Sequence, residues 1–363
     1  MPKVSVILPT YNGEKYIREA IDSIINQTFT DWELIVVNDC STDSTITIIN
    51  EYERKDSRIK VINNPYNQKL PKSLNIGFSS AEGEYLTWTS DDNIFLPSAL
   101  DEMNSFLDQN PNKIMVRARY TIIDENGNYL YEPDGYDSET VFVNNCIGAC
   151  FLYRRDVLSK VGEYNAEKYL VEDYDYWLRI LFEYKEIGSL DAVIYKYRIH
   201  CSSLTATRKK EIHNKLLKLR MEYINHIIEN LENRKDLLCE IYYEFKQANM
   251  LSENLNMIFH DIIPELNFDC EVIENRSSIV YGAGLYGEKA YKKYAEIISY
   301  FADKNKYGSL IHNKAIISLT ELQKIYNNYQ ILVAASPHNV YSFLCTLNQI
   351  NIRKCTVLIF DNE

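Results

Sequence analysis

Three short stretches carry the residues best suited to chemistry. The first is Ser90-Asp91-Asp92-Asn93, which follows the apolar run Tyr85–Trp88 and precedes Pro97. Adjacent carboxylates repel, and a bound divalent cation relieves the repulsion. Oxygen ligands of this kind suit magnesium or manganese, often shared with a substrate phosphate. The same residues also make an Asx turn that caps a helix, and taken alone they support both readings equally. The second stretch is Glu172-Asp173, ahead of an amphipathic pattern with Tyr176, Trp177, Ile180 and Leu181 inside. A carboxylate there is either a helix cap or, placed over a pocket, a general base. The third, Tyr197-Arg198-Ile199-His200, sets an arginine and a histidine at a strand end. There they contact a metal or a phosphate, or simply face solvent.

These residues need a framework, and the periodicity supplies one. Lys3–Leu8, Glu33–Asn38, Ile59–Ile62 and Glu84–Trp88 read as strands. Between them lie helical patterns. Tyr16, Ile17, Ala20, Ile21, Ile24 and Ile25 form one face, and Ile46, Ile49 and Tyr52 another, with Ser41 or Thr42 as cap. A third helix spans Ser73–Ser80 after a polar loop, Asn63–Lys72. This alternation predicts an α/β fold with a mostly parallel sheet between helices. Ligands of such sheets bind at the carboxyl ends of the strands. The junctions at Tyr11 and Asp39 therefore share an edge with Asp91, and that edge reads as a nucleotide pocket. Tyr11 stacks on a base or packs on its own helix; Asp39 accepts a base N–H or caps.

Beyond residue 100 the pattern is mixed. Lys113–Ile123 reads as a strand, Asp124–Asn128 as a hairpin turn, and Gly148–Tyr153 as another strand. A short helix then ends at Gly162, and Ala192–Ile199 is a further strand. Arg208–Ile263 is helical, either a packed linker or a dimer contact. A new unit starts near Ser277. Its strand Ser278–Tyr281 runs into Gly282-Ala283-Gly284-Leu285-Tyr286-Gly287, with Asp303 about 20 residues on. That spacing fits a dinucleotide fingerprint, so Gly282, Gly284, Gly287 and Asp303 are candidates for a second nucleotide site, although a structural or oligomerising module is the favoured reading of this unit. The expected divisions are 1–207, 208–275 and 276–363.

The totals exclude several classes. The chain has 363 residues, a net charge of −12 and no basic run, which argues against a nucleic-acid partner. Eight cysteines include no Cys-x-x-Cys pair, so a zinc ribbon is not suggested. No stretch approaches the roughly 18 apolar residues of a membrane span. A cytoplasmic protein is expected, with peripheral contact at the inner face of the membrane compatible.

Together the motifs resemble the family 2 glycosyltransferases with a GT-A fold, of the bacterial surface-polysaccharide kind. The resemblance covers residues 3–205 or so. It rests on Val6-Ile7-Leu8-Pro9-Thr10-Tyr11-Asn12, Val37-Asn38-Asp39-Cys40-Ser41-Thr42-Asp43, Asn75-Ile76-Gly77, Ser90-Asp91-Asp92, Glu172-Asp173 and Tyr197-Arg198-Ile199-His200, in that order. It implies that Pro9, Thr10, Tyr11 and Asn12 line the nucleobase site and that Asp39 binds uracil or another base. Ser90, Asp91 and Asp92 would sit at the donor, with Asp91 and His200 as metal ligands for Mn2+ or Mg2+. Asp173 would be the catalytic base, with Glu172 beside it. Gly148 and Ala149 would flank the acceptor, with Trp177 on the same side. The first Asp of the family's Asp-x-Asp motif falls on Thr89 here, and the basic residue before Asn75 is Leu74. Lys72 or Lys69 would take the phosphate contact instead. The segment from residue 276 resembles small Rossmann-like domains attached to sugar-modifying enzymes.

The resemblance implies transfer of a single sugar from a nucleotide-sugar donor, UDP-linked by preference, to a glycan or lipid-linked glycan acceptor, with inversion. The rivals are a non-catalytic nucleotide-sugar sensor and an oxidoreductase centred on Gly282–Gly287.

Overall fold

The computed structural model describes residues 1–133, 138–270 and 272–360. The chain forms two compact units, Met1–His226 and Ile227–Glu363. The first unit begins with β1 (Val4–Thr10), α1 (Ile17–Ile25), β2 (Trp32–Asn38), α2 (Thr45–Glu53), β3 (Ile59–Asn63), α3 (Leu70–Ser80) and β4 (Tyr85–Trp88). Every residue of β1, β2 and β4 is buried, as expected of strands covered on both faces. In α1, Ile17, Ala20, Ile21 and Ile24 recur at three- and four-residue spacing and are buried. Burying each isoleucine is worth about 1.5–3 kcal/mol. Helix α2 starts later than its serine and threonine suggested. Asp43, rather than Ser41 or Thr42, accepts the Thr45 N–H at 3.0 Å.

The unit continues with β5 (Ile94–Phe95), α4 (Ala99–Gln109), β6 (Met115–Ile123), β7 (Tyr129–Tyr131), β8 (Phe151–Arg154), α5 (Asp156–Val161), α6 (Glu172–Tyr184), β9 (Gly188–Arg198), α7 (Leu204–Thr207) and α8 (Lys209–Glu222). The strand order is β3-β2-β1-β4-β8-β6-β9-β5, with β7 paired to β6. Pairing is parallel from β3 through β4. Strand β8 then runs antiparallel to both β4 and β6, while β6 and β9 are parallel. β4 is therefore the seam between a parallel half and a mixed half. The carboxyl ends of β1, β2 and β4 lie along one edge, and Thr10, Asn38 and Trp88 close those strands. The expected hairpin turn is present: the Asp124 N–H donates to the Asn128 carbonyl at 2.9 Å, and Gly127 takes φ +86°. Several boundaries differ from expectation, among them β8, which begins at Phe151 rather than Gly148. β9 begins at Gly188 rather than Ala192, and α3 begins at Leu70 rather than Ser73, with Pro71 in its first turn.

Helix α9 (Ile224–Asn230) spans the division between the units. The second unit contains α10 (Lys235–Gln247), α11 (Glu253–Ile262), β10 (Ser278–Tyr281), α12 (Leu285–Tyr294), β11 (Ile298–Ala302), β12 (Leu310–Ile311), β13 (Lys314–Ile317), α13 (Leu319–Ile325), β14 (Gln330–Ala334), α14 (Pro337–Gln349) and β15 (Thr356–Leu358). Its sheet has the order β12-β13-β11-β10-β14-β15 and is parallel except for the β12–β13 hairpin. Counting only its parallel strands, this is the 3-2-1-4-5 order of a doubly wound sheet. Among the described residues, no helix is long and apolar enough to cross a membrane.

Candidate active site

The site is built from the loops at the carboxyl edge of the first sheet. Thr10, the last residue of β1, is buried, and its hydroxyl donates to Asp91 Oδ2. Tyr11 follows and is half exposed, free to stack on a planar ring. Asn12 takes φ +56°, a conformation asparagine tolerates. Its Oδ1 accepts the Thr42 N–H at 2.8 Å, and its own N–H donates to Ser41 at 3.0 Å. Asn12 thus laces the loop after β1 to the loop after β2. A methyl on Gly13 would lie 2.2 Å from Asp91 Oδ2 and 2.6 Å from Thr10 Oγ1. Only glycine fits there, a requirement hidden in what reads as an ordinary Asn-Gly turn.

Asp39 is buried and already employed. Its Oδ1 accepts Asn64 Nδ2 at 2.8 Å and the Gln68 N–H at 2.7 Å, and its Oδ2 accepts the Lys69 N–H at 2.9 Å. It therefore organises the loop between β3 and α3, a non-local task that adjacent residues did not reveal. A carboxylate offers about four lone-pair sites, so one acceptor position on Oδ2 remains for a ligand.

At the seam strand, burial and the neighbouring Asp92 push the Asp91 carboxyl up to about 7, against the pull of the Thr10 hydrogen bond. Asp92 pairs with His200 Nε2 at 2.9 Å, and His200 Nδ1 meets Ser202 Oγ at 2.8 Å. A neutral imidazole satisfies both contacts with its proton on Nε2. Thr89, where a second motif carboxylate would stand, is buried, and its hydroxyl is within 2.6 Å of the Tyr195 hydroxyl. Ser90 is half-buried beside it.

Asp173 lies in the first turn of α6. Its Oδ1 accepts the Tyr174 N–H at 2.7 Å and its Oδ2 accepts Asn145 Nδ2 at 2.9 Å. Burial raises its carboxyl above the ordinary range. The Asn145 contact brings the segment preceding Gly148 and Ala149 against Asp173. Gly148 takes φ +73°, and a methyl there would meet the Tyr120 ring at 2.4 Å. Tyr197 has its hydroxyl 3.4 Å from that of Thr205. Burial raises its hydroxyl, and the carboxylates of Asp92 and Asp173 both act on it in the same direction.

Three expected contacts need correction. Glu172 is only 3% exposed, and its Oε2 has no hydrogen-bond partner, so it cannot touch substrate as placed. Burial and the adjacent Asp173 push its carboxyl strongly up. Trp177 is fully buried with its ring centroid 4.6 Å from that of Phe151, a core contact rather than an acceptor wall. Asn75 spends both arms of its amide on the Tyr164 backbone, at 2.8 and 2.9 Å. With Lys72 it lines a groove of about 750 Å³ alongside Gln68, Glu163, Arg179 and Tyr223, which contains neither Asp91 nor Asp173.

In the second unit, the first and third glycines of the motif serve packing. Gly282 has φ +114°, and a methyl there would meet the Ala334 carbonyl at 2.4 Å; one on Gly287 would meet the Gly282 carbonyl at 2.2 Å. At Gly284 the nearest atom is Lys306 Nζ, at 4.0 Å. Asp303 turns inward, accepting the N–H groups of Ala283, Asn305 and Lys306 at 2.8–3.0 Å. As placed, its carboxylate is committed to the loop itself rather than open to a ribose.

Residues 5–162 match the model of glycosyl transferase family 2. An uncharacterized glycosyltransferase of Haemophilus influenzae is 30% identical over 278 residues, covering 70% of this chain and 84% of that protein. The chain belongs to glycosyl transferase family 2. Among solved structures, this glycosyltransferase is similar to S. aureus TarS 1-349 in complex with UDP-GlcNAc. The TM-score is 0.55 at 20% identity, covering 72% of this chain and 79% of that one. It is also similar to the mannosyltransferase PcManGT from Pyrobaculum calidifontis in complex with GDP-Man and Mn2+. There the TM-score is 0.51 at 15% identity, covering 72% and 84%. At these identities the likeness establishes the fold.

The acidic edge of the glycosyltransferase suits a hard cation only in part. Among the described residues, no group of three His, Cys, Asp or Glu side chains is arranged to hold a metal by itself. The adjacent Asp91 and Asp92 carboxylates, with Asp91 resisting ionisation, are the donor set that a cation relieves. The remaining ligands have to come from substrate oxygens, as is usual for magnesium-type sites.

Proposed function

We propose that this glycosyltransferase inverts the anomeric carbon while moving a single sugar from a UDP-sugar to a hydroxyl of a glycan or lipid-linked glycan in surface-glycan synthesis. The observation carrying this reading is the shared carboxyl edge of β1, β2 and β4, where Thr10 holds Asp91 and Asp39 anchors the adjoining loop. The donor is assigned to that edge and the base to Asp173 in the first turn of α6. Tyr11 stacks on the base, and the free Oδ2 position of Asp39 accepts a base N–H. Asp173, oriented by Asn145, takes the proton from the acceptor hydroxyl as that oxygen attacks. Its raised affinity for protons suits it to the task. Asp91, with Asp92 and His200 beside it, would hold a divalent cation, which when bound would supply Lewis-acid stabilisation of the leaving diphosphate. His200 stands at that side through its pairing with Asp92, and Gly148 and Ala149 border the acceptor. The acceptor class places the enzyme at the inner face of the membrane.

Calorimetric titration with UDP, with and without Mn2+, tests the donor assignment. Binding that needs the metal and disappears in Asp91→Ala is expected. Metal-independent binding, or binding unchanged in the variant, refutes it.

A further inference from the structure

Strand β9 ends at Arg198, whose side chain is 2% exposed. A buried guanidinium is costly unless its donors are all engaged. Here they reach three different parts of the unit. The Arg198 N–H donates to Asn93 Oδ1 and Nε donates to the Asp92 carbonyl, both at 2.8 Å. Nη1 donates to the carbonyls of Asp124 and Glu125, at 3.4 and 3.3 Å, in the hairpin between β6 and β7. Nη2 donates to the Glu19 carboxylate on α1. The guanidinium carbon sits 4.6 Å from the centre of the Tyr16 ring. That same ring lies 5.2 Å from the ring of His200.

We propose that Arg198 is a positioning residue that sets the Asp92–His200 pair. It acts through the Asp92 carbonyl, the Asn93 side chain and the Tyr16 ring. The assignment of that pair to the donor rests on the reading above; the pairing geometry does not. The contact with Asp92 does not use its carboxylate, which is left to His200. The guanidinium instead fixes the backbone from which that carboxylate projects. It also bolts the same turn to the hairpin and to the first helix, so the turn cannot shift without dragging both. The planar fork is what makes this work. A lysine ammonium is a point charge and cannot span the Asp92 carbonyl, the hairpin carbonyls and Glu19 together.

The test uses the full chain with Arg198→Lys and Glu19→Gln. The second variant removes the charge partner from a side chain that is 53% exposed, so folding is not at stake. Three readouts are taken: the melting temperature, the long-range 1H–15N spectrum of the six histidines, and kcat and KM for nucleotide release from UDP-sugars. His200 is assigned in the spectrum with His200→Gln. In Arg198→Lys the His200 resonances move away from their wild-type positions. kcat falls about tenfold or more while donor KM stays within about threefold. Glu19→Gln shifts the same resonances in the same direction by less. If Arg198→Lys is unfolded, the Glu19→Gln spectrum decides. Wild-type His200 resonances in a folded Arg198→Lys, or in Glu19→Gln when that variant decides, overturn the proposal. So does a lowered melting temperature as the sole effect. If wild type neither binds UDP nor releases nucleotide, the donor reading fails, while the spectrum still reports on Arg198.

Discussion

Gly13→Ala is the sharpest single perturbation this site offers. The added methyl would stand 2.2 Å from Asp91 Oδ2, 2.6 Å from Thr10 Oγ1 and 2.9 Å from Asp91 Cγ. Carbon–oxygen contact needs roughly 1 Å more than the shortest of these, so the Thr10–Asp91 contact has to open. Gly13 is not among the glycines with positive φ, so alanine brings no backbone strain to confuse the result. A hydrogen bond to a charged group is worth about 1.5–3 kcal/mol. Displacing Asp91 therefore weakens metal-dependent UDP binding by about 10- to 150-fold. The assay is calorimetric titration with UDP and Mn2+, paired with a melting curve. Unchanged affinity in a folded Gly13→Ala protein would refute the claim that Asp91 must sit where Thr10 and Gly13 hold it.

Asp173→Asn should lower turnover by about 10²- to 10⁴-fold with UDP affinity unchanged; loss of UDP affinity instead would remove Asp173 from the base role. Glu172 bears on stability. Its folded-state carboxyl is raised above the ordinary 4.5, so between those limits the folded protein binds more protons than the unfolded chain. This contribution to stability is present at low pH and is lost as pH rises beyond the ordinary carboxylate range. Glu172→Gln should melt higher than wild type at pH 8, and equal or lower melting there contradicts the assignment. Asp39→Asn replaces an acceptor of three hydrogen bonds with an amide that cannot accept all three. Faster amide exchange at Gln68 and Lys69, together with at least tenfold weaker UDP binding, is expected. Exchange that stays slow would show that the loop holds itself.

How much of this was legible depended on whether the physics was local. β1, β2 and β4 are buried on both faces, and such strands announce themselves as apolar runs. Asp91 and Asp173 were visible because each closes or opens an element that periodicity defines. What escaped notice was non-local. Asn145 meets Asp173 across 28 positions, and Asn75 clamps the Tyr164 backbone across 89. No neighbour in sequence marks either contact. Trp177 misled because an aromatic beside a catalytic motif looks functional, whereas its helical spacing already placed it with Ile180 and Leu181 in the core. Asp303 sits at the fingerprint position, yet its carboxylate closes its own loop. Spacing reports where a residue is and not which way it faces.

The seam at β4 has an evolutionary corollary. The residues proposed to contact the nucleobase, Tyr11 and Asp39, precede it in the chain, and those proposed for the acceptor, Gly148, Ala149 and Asp173, follow it. A single crossover in the gene just downstream of the Asp91 codon would exchange one specificity while inheriting the other intact. Arg198 restricts that freedom, since it reaches back from the later half to Glu19 on α1. Chimeras between relatives should therefore succeed where this residue and its three landing points are inherited together.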